Sequence, residues 1–375
     1  MVLSTVLAVL AAEAILRVLK GGPRFDSVED ALDYSEKADP DPDVGRHTNL
    51  EGLIRRSARA DLVFELKSGL DCGFKGVPLR TNSFGFRGRE WRLEKAPGTL
   101  RIALVGDSVV FGPFVAEEEI FASLLGQRIE SATRGAIPRG RIETLNFGVP
   151  GYNATQEAEL FAVDVPRFAP DMVVVGYVGN DDQLPSFIED ILDRSSGGLL
   201  RRSLFFEELA SMTKEEKRQL VRGTRELILD ERIPGEYRRM IGWPAIEAAY
   251  RRMGAVAKAQ GLRVLVTIYE SEAGPDHDPH PRASRHEKLA RLGEEIGFEL
   301  LDMTAVFGRI ARERGWRNIV PLWVNDENGH LNAEGHRLFA DALAEKLASL
   351  GWLGDHESLE PRYPEWRRGG DSNPR

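Results

Sequence analysis

Cysteine is almost absent from this sequence: Cys72 is the single one among 375 residues. No intramolecular disulfide can staple the fold, so a chain of this length must rely on a buried apolar core. The isolation of that thiol also argues against a catalytic role. Positive charge is in deficit, with 50 Lys and Arg against 59 Asp and Glu and a net charge of -9. Nucleic acid is therefore not expected as the main partner, because neutralising phosphates needs a basic face. Arginine pairs such as Arg55-Arg56 and Arg251-Arg252 read as solvated faces instead. Long apolar runs are missing too. The one membrane-like stretch, Val2 to Lys20, is interrupted by Glu13 and falls short of the roughly 20 apolar residues that a span needs. It also lacks the basic flank of a standard signal peptide. Three readings stay open for it: a signal anchor that starts further upstream, an uncleaved peptide, or an amphipathic surface helix.

Other absences narrow the function. There are no internal repeats. Gly106-Asp-Ser-Val-Val-Phe-Gly112 lacks the Gly-x-Gly-x-x-Gly spacing of a dinucleotide-binding loop. His277 and His280 fall in Pro275-Asp-His-Asp-Pro-His280, a turn-rich loop first, and no cysteine or helical histidine pair supports a closed metal site. Neither a metal nor another cofactor is expected.

What is present is a repeating β-α rhythm. Strand-like apolar runs at 101–106, 142–147, 172–178, 263–269 and 298–302 alternate with helix-length segments, which predicts an α/β fold with a parallel sheet. A flavodoxin-like order would set the first and third strands side by side and open a crevice at their carboxyl ends. Between the third and fourth strands, roughly residues 183–261 form an insertion too long for a simple crossover. Leu204-Phe-Phe-Glu-Glu-Leu and Met212-Thr-Lys-Glu-Glu-Lys-Arg-Gln-Leu within it read as charged amphipathic helix, and a second helix follows Trp243-Pro to Lys258. A lid or substrate wall and a solvated decoration are equally compatible with that pattern.

Chemistry gathers at the strand ends. The first strand delivers Ser108 in Gly106-Asp-Ser, where a following helix begins. By itself this is an ordinary helix entry. The second strand, however, ends in Gly148-Val-Pro-Gly151-Tyr-Asn153, and the third in Gly179-Asn180-Asp181-Asp182. Near the C-terminus, Asn325-Asp-Glu-Asn-Gly-His330-Leu-Asn-Ala-Glu-Gly-His336 supplies a base and carboxylates. Each residue alone reads as a turn former, a cap or a surface histidine, but four loops bearing suitable groups in one order point to shared work.

These four blocks, in this order, resemble the GDSL-type esterases of the SGNH hydrolase superfamily, over about residues 60–350. The resemblance implies a three-layer α/β/α sandwich and assigns Ser108 as nucleophile and His330 as base. It implies an oxyanion hole of Ser108 N–H, Gly151 N–H and the Asn180 amide, with Gly151 a better match than Gly148. Two positions depart from the pattern. The glycine two places before the block-three asparagine is replaced by Val178, with Gly179 adjacent. The acid three residues before the histidine is Glu327, preceded by Asp326, so either can orient His330. His336 reads as structural or exposed. The phrase Thr81-Asn-Ser-Phe-Gly-Phe-Arg-Gly88 resembles an N-terminal extension of bacterial membrane-linked members. Its aromatics read as core packing, with Arg87 or Asn82 reaching the pocket as the lesser reading.

The organisation expected is an anchor or signal segment over 1–20, an extension over 21–98, a catalytic domain over 99–352 and a disordered polar tail over 353–375. The resemblance places the chain at the bacterial cell envelope, anchored or extracytoplasmic, with a cytoplasmic enzyme as the alternative. The leading function is a serine ester hydrolase acting on acetyl or short acyl esters of a carbohydrate or lipid. An O-acyltransferase of envelope polysaccharide uses the same residues, and a catalytically silent glycan-binding protein would fit the altered acid position.

Overall fold

Runs of Val, Ile and Leu too apolar for a half-exposed strand must be covered on both faces, and they form the centre of the molecule. The computed structural model describes residues 25, 27–40, 50–132, 142–195, 233–325 and 328–353. It begins with α1 (Val28–Lys37) and two antiparallel pairs, β1 (Ile54–Arg56) with β2 (Phe64–Leu66) and β3 (Asp71–Phe74) with β4 (Val77–Arg80). The core follows with β5 (Leu100–Gly106), α2 (Ser108–Phe111), α3 (Phe121–Ala132), β6 (Ile142–Gly148), α4 (Ala154–Val163) and β7 (Met172–Val178). Next come α5 (Ser186–Ser195), α6 (Gly235–Arg238), α7 (Trp243–Gln260), β8 (Arg263–Tyr269), α8 (Ala283–Ile296), β9 (Glu299–Asp302) and α9 (Met303–Glu313). A short antiparallel ladder of β10 (Trp323–Asn325) and β11 (Asn328–Leu331) leads into α10 (Ala333–Ser349).

Five parallel strands make the central sheet in the order β6-β5-β7-β8-β9. The first and third core strands are neighbours, as the flavodoxin-like order requires, and the switch point lies between β5 and β7. All five strands fall within a residue of the apolar runs that predicted them. Alternation with a period of two splits the core: Ala103, Val105, Val173 and Val175 face one layer, and Ile102, Leu104, Met172 and Val174 face the other. Helices α4, α7 and α8 cover the first face, while α3, α9 and α10 cover the second. The result is the three-layer sandwich.

The N-terminal region extends the first layer. Phe86 stacks on Trp91 at 5.2 Å and meets Phe147 of β6 edge-on at 4.7 Å, and Phe84 contacts Phe168 at 5.0 Å. Asn82 closes its own turn, its Oδ1 accepting from the N–H groups of Phe84 and Phe86. Cys72 is buried in the same apolar cluster, and burial pushes its thiol up.

In the insertion, α7 carries the second helix anticipated after Trp243. The charged segments at 204–209 and 212–220 lie outside the described residues, as do the segment 1–20 and the tail from 354. Among the described residues no helix is long and apolar enough to cross a membrane.

Candidate active site

A strand that ends at Gly106 hands the chain to a helix of a single turn, and so short a helix cannot hold its own position. Neighbours hold α2 instead. Asp107 caps its start, with Oδ1 accepting from the Val109 N–H at 2.8 Å. The orphan carbonyls at its end are taken by two buried side chains. Asn146 Nδ2 donates to Val110 O at 3.0 Å. Arg87 donates to Phe111 O at 3.2 Å, to Val115 O at 2.7 Å and to Gly112 O. From below, β6 approaches closely enough that a Cβ on Gly148 would lie 2.3 Å from Phe111 N. Only a residue without a side chain fits there.

That clamp presents Ser108 over the switch point, and β11, which carries His330, brings the imidazole to it. Ser108 Oγ lies 2.8 Å from His330 Nε2 and 3.2 Å from Asp107 Oδ2. The serine has one proton to donate, and the shorter contact directs it to the imidazole. Burial, with a smaller push from the Lys75 ammonium, holds His330 down at about 4. The ring is therefore neutral, and able to accept a proton, across the neutral pH range. Phe114, in the left-handed region with φ +69°, lays its ring 5.6 Å from that of His330.

Asn180 follows β7, and its Nδ2 reaches Asp107 Oδ2 at 3.5 Å. Its loop is closed by Asp181, whose Oδ2 accepts from the Val178 N–H at 3.2 Å. Asp181 is fully buried, as is Glu157 of α4, and burial raises both well above the ordinary carboxylate range, with the charge of Asp107 adding to it at Glu157 and the charges of Glu157 and Asp107 adding to it at Asp181. Burial likewise raises Asp107. In all three groups burial favours the neutral form over the anion.

Of the two candidate glycines after β6, Gly148 is committed to packing under α2, and its N–H donates to Asn146 Oδ1 at 2.9 Å. Gly151 has φ +79° and accepts at its carbonyl from the Ser186 N–H at 2.9 Å. Ser186 in turn lines the cavity that holds Ser108, Asn180 and His330. The loop is fixed by Asn153, which caps α4 in a capping box with Gln156 and donates to Gln183 O at 2.8 Å and Met240 O at 3.1 Å. This bridge ties the second block to the third.

The structure thus brings Ser108, His330 and Asn180 to one cavity of about 630 Å³, with Gly151 directly behind its wall. Asp326 and Glu327 lie outside the described residues. His336 is buried in α10, held down at about 3 chiefly by burial, with Nδ1 accepting from the Phe121 N–H at 3.3 Å. It is structural. Arg87 grips α2 rather than entering the cavity. A second cavity of about 390 Å³, between the N-terminal region and α4, shares no lining residue with the first.

Sequence reasoning passed over Lys75, Asn146, Arg282 and Glu270. Only the Asn153-x-x-Gln156 capping box had a local signal, since it follows the rule for helix starts. The others act across the fold, from sites with no local pattern.

A parallel α/β/α sandwich with a hydrogen-bonded serine and histidine at its switch point defines an SGNH-type hydrolase fold. The GDSL-like Lipase/Acylhydrolase family profile matches residues 104–338. The chain belongs to that family and is a hydrolase acting on ester bonds. No curated protein matches it. Among solved structures it is similar to a lipase/acylhydrolase from Enterococcus faecalis, at 14% identity over 71% of this chain and 100% of that one, with a TM-score of 0.39. It is also similar to a catalytic mutant of the acetylxylan esterase Axe2 from Geobacillus stearothermophilus, at 15% identity over 72% and 100%, with a TM-score of 0.42.

Proposed function

We propose that the chain hydrolyses short acyl esters of a hydroxyl-rich alcohol, such as a carbohydrate, through an acyl-serine intermediate. Ser108 Oγ attacks the carbonyl carbon as its proton passes to His330 Nε2. The oxyanion is met by the Ser108 N–H, the Gly151 N–H and the Asn180 amide, and losing one such donor typically costs about 3 kcal/mol of transition-state stabilisation. His330 returns the proton to the departing alkoxide and then activates water for deacylation. Asp326 or Glu327 is the candidate for holding its tautomer.

The observation that carries this reading is the 2.8 Å contact between Ser108 and His330 on a neutral imidazole. Support for a polar substrate comes from the cavity lining, where Asn180, Gln183, Ser186, Ser271 and Asn325 offer hydrogen bonds that a long acyl tail would leave unused. The acyltransferase and binding-protein alternatives gain nothing from the family match.

The test is hydrolysis of p-nitrophenyl acetate, butyrate and octanoate by the full chain, alongside Ser108→Ala and phosphonate labelling. Acetate or butyrate should be preferred. Ser108→Ala should lose at least about a thousandfold in kcat while keeping its Tm. Comparable hydrolysis by that variant, or the absence of phosphonate label on Ser108, would end the serine mechanism.

A further inference from the structure

One wall of the Ser108 cavity is an ion pair. Arg282 and Glu270 both line the cavity, and Arg282 Nη1 donates to Glu270 Oε2 at 2.6 Å. The two members are unequally exposed, at 33% for the arginine side chain and 5% for the glutamate. The cavity therefore meets the guanidinium, with the carboxylate behind it.

This arginine is built into place. Glu270 directly follows β8, its N–H donates to Thr304 Oγ1 at 3.0 Å, and its Oε1 lies 3.4 Å from His286 Nε2. The Arg282 N–H donates to His280 Nδ1 at 3.1 Å, and the His280 ring stacks on His286 at 4.9 Å. On the other side lies Gly179, where an added Cβ would fall 1.5 Å from Arg282 Nη1 and 2.5 Å from Glu270 Oε2. The guanidinium lies against the backbone of the residue immediately before Asn180. The glycine at 179 is there to admit it, which gives a physical reason for one of the two departures from the family pattern.

A guanidinium carries five donors, of which the bond to Glu270 uses one. A planar fork fixed by a buried carboxylate is suited to reading a second carboxylate or a phosphate, because the cost of ordering the side chain is met before substrate arrives. We infer that Arg282 is a specificity-determining residue that binds an anionic group, carboxylate or phosphate, carried by the ester substrate. The inference rests on the Ser108 and His330 reading above and adds a charge requirement to it.

The test sets anionic esters against neutral isosteres in the full chain. Mono-p-nitrophenyl succinate against p-nitrophenyl butyrate places the anion on the acyl side. 4-Acetoxybenzoate against 4-acetoxybenzamide, with 4-acetoxyphenyl phosphate beside them, places it on the alcohol side and separates carboxylate from phosphate. At least one anionic ester should exceed its neutral partner by about ten- to hundredfold in kcat/KM, mainly through KM. In Arg282→Gln that ratio should collapse towards one, and in Arg282→Glu it should invert. Because Arg282→Gln leaves Glu270 buried without its cation, the double variant E270Q/R282Q carries the same expectation with no orphaned charge. Equal handling of anionic and neutral esters by the wild type, or a preference that survives in E270Q/R282Q, would overturn the subsite. Ser108-dependent hydrolysis without a charge preference would overturn it and leave the esterase mechanism standing, whereas no hydrolysis and no phosphonate label would sink both.

Discussion

Ser108 stands on a single helical turn locked into the sheet by main-chain contact, whereas His330 stands on one half of a two-stranded ladder held largely by side-chain hydrogen bonds. Under the serine, β6 runs against the backbone of α2 at Gly148, and Arg87 and Asn146 close the helix end. Beside the histidine, the ladder shifts register between Trp323 and Asn325. It is tied instead by Tyr269, which donates to Gly329 O at 2.6 Å, and by Asn332, which donates to Pro321 O and Trp323 O at 3.0 Å each. Ser108 is thus positioned by the absence of atoms at Gly148 and by the buried Arg87 and Asn146, and His330 by a few replaceable polar groups. Substitutions at the two sites should fail in different ways.

Among substitutions that leave Ser108 and His330 themselves in place, the largest effect is expected from Gly148→Ala. The new Cβ would meet Phe111 N at 2.3 Å and Phe111 Cα at 2.8 Å, and because these are backbone atoms no rotamer can relieve the clash. A displacement of α2 by even a fraction of an ångström should reduce kcat by about a hundredfold or more, if the variant folds at all. Hydrolysis and thermal melting measured together check this. Wild-type values in both would mean that the serine turn is not held by that approach.

Arg87→Met comes next. It leaves three buried carbonyls without their donor, so a loss of about 2–4 kcal/mol is expected, read as a drop in Tm together with lower kcat. Burial already holds this guanidinium down at about 10, still far above neutral pH, so Arg87→Lys should recover the charge but only part of the bonding. Asn332→Ala tests the other side. It removes the N-cap of α10 and both carbonyl bonds of the ladder, for which about 1–2 kcal/mol is expected. A larger loss of kcat in Asn332→Ala than in Arg87→Met would invert the comparison.

How much of this could be read in advance follows the same division. Strands β5 to β9 were legible because burial on both faces forces continuous apolar runs, and Ser108 and Asn180 stood out because each follows such a run, whereas His330 stood out as an imidazole beside carboxylates in a polar segment near the C-terminus. Arg87 was noticed, but its role was not. A lone arginine in an aromatic phrase gives no sign that it will cap a helix more than 20 residues away. Asn146 and Glu270 carry no local signal, since a single polar residue within or just after an apolar run does not show which distant group it will bond. Gly179 showed in the sequence only as the glycine adjacent to Val178, and its reason is the Arg282 side chain that lies against it. Local periodicity records what an element buries and says little about which distant element its polar residues serve.

The smallest effect sharpens the comparison most, because it concerns charge alone. Lys75, in the turn between β3 and β4, has its Nζ 5.6 Å from the Phe114 ring centroid, and that ring also packs against His330. Its positive charge opposes formation of the imidazolium, adding to the dominant effect of burial. Catalysis needs the neutral ring, so activity should be lost on the acid side as pH falls towards about 4. Removing the ammonium in Lys75→Met favours the imidazolium and raises that value. The acid limb of the kcat/KM profile should then move to higher pH, by less than the burial shift itself. The same sign applies to stability: a histidine held below its ordinary 6.5 leaves the unfolded chain binding more protons between that value and about 4, so folding weakens as pH falls through that window. Lys75→Met should narrow the window from below. A pH–rate profile from pH 3 to 8, with melting curves at the same points, measures both. An acid limb that stays put or moves lower would show that the N-terminal region does not tune the base.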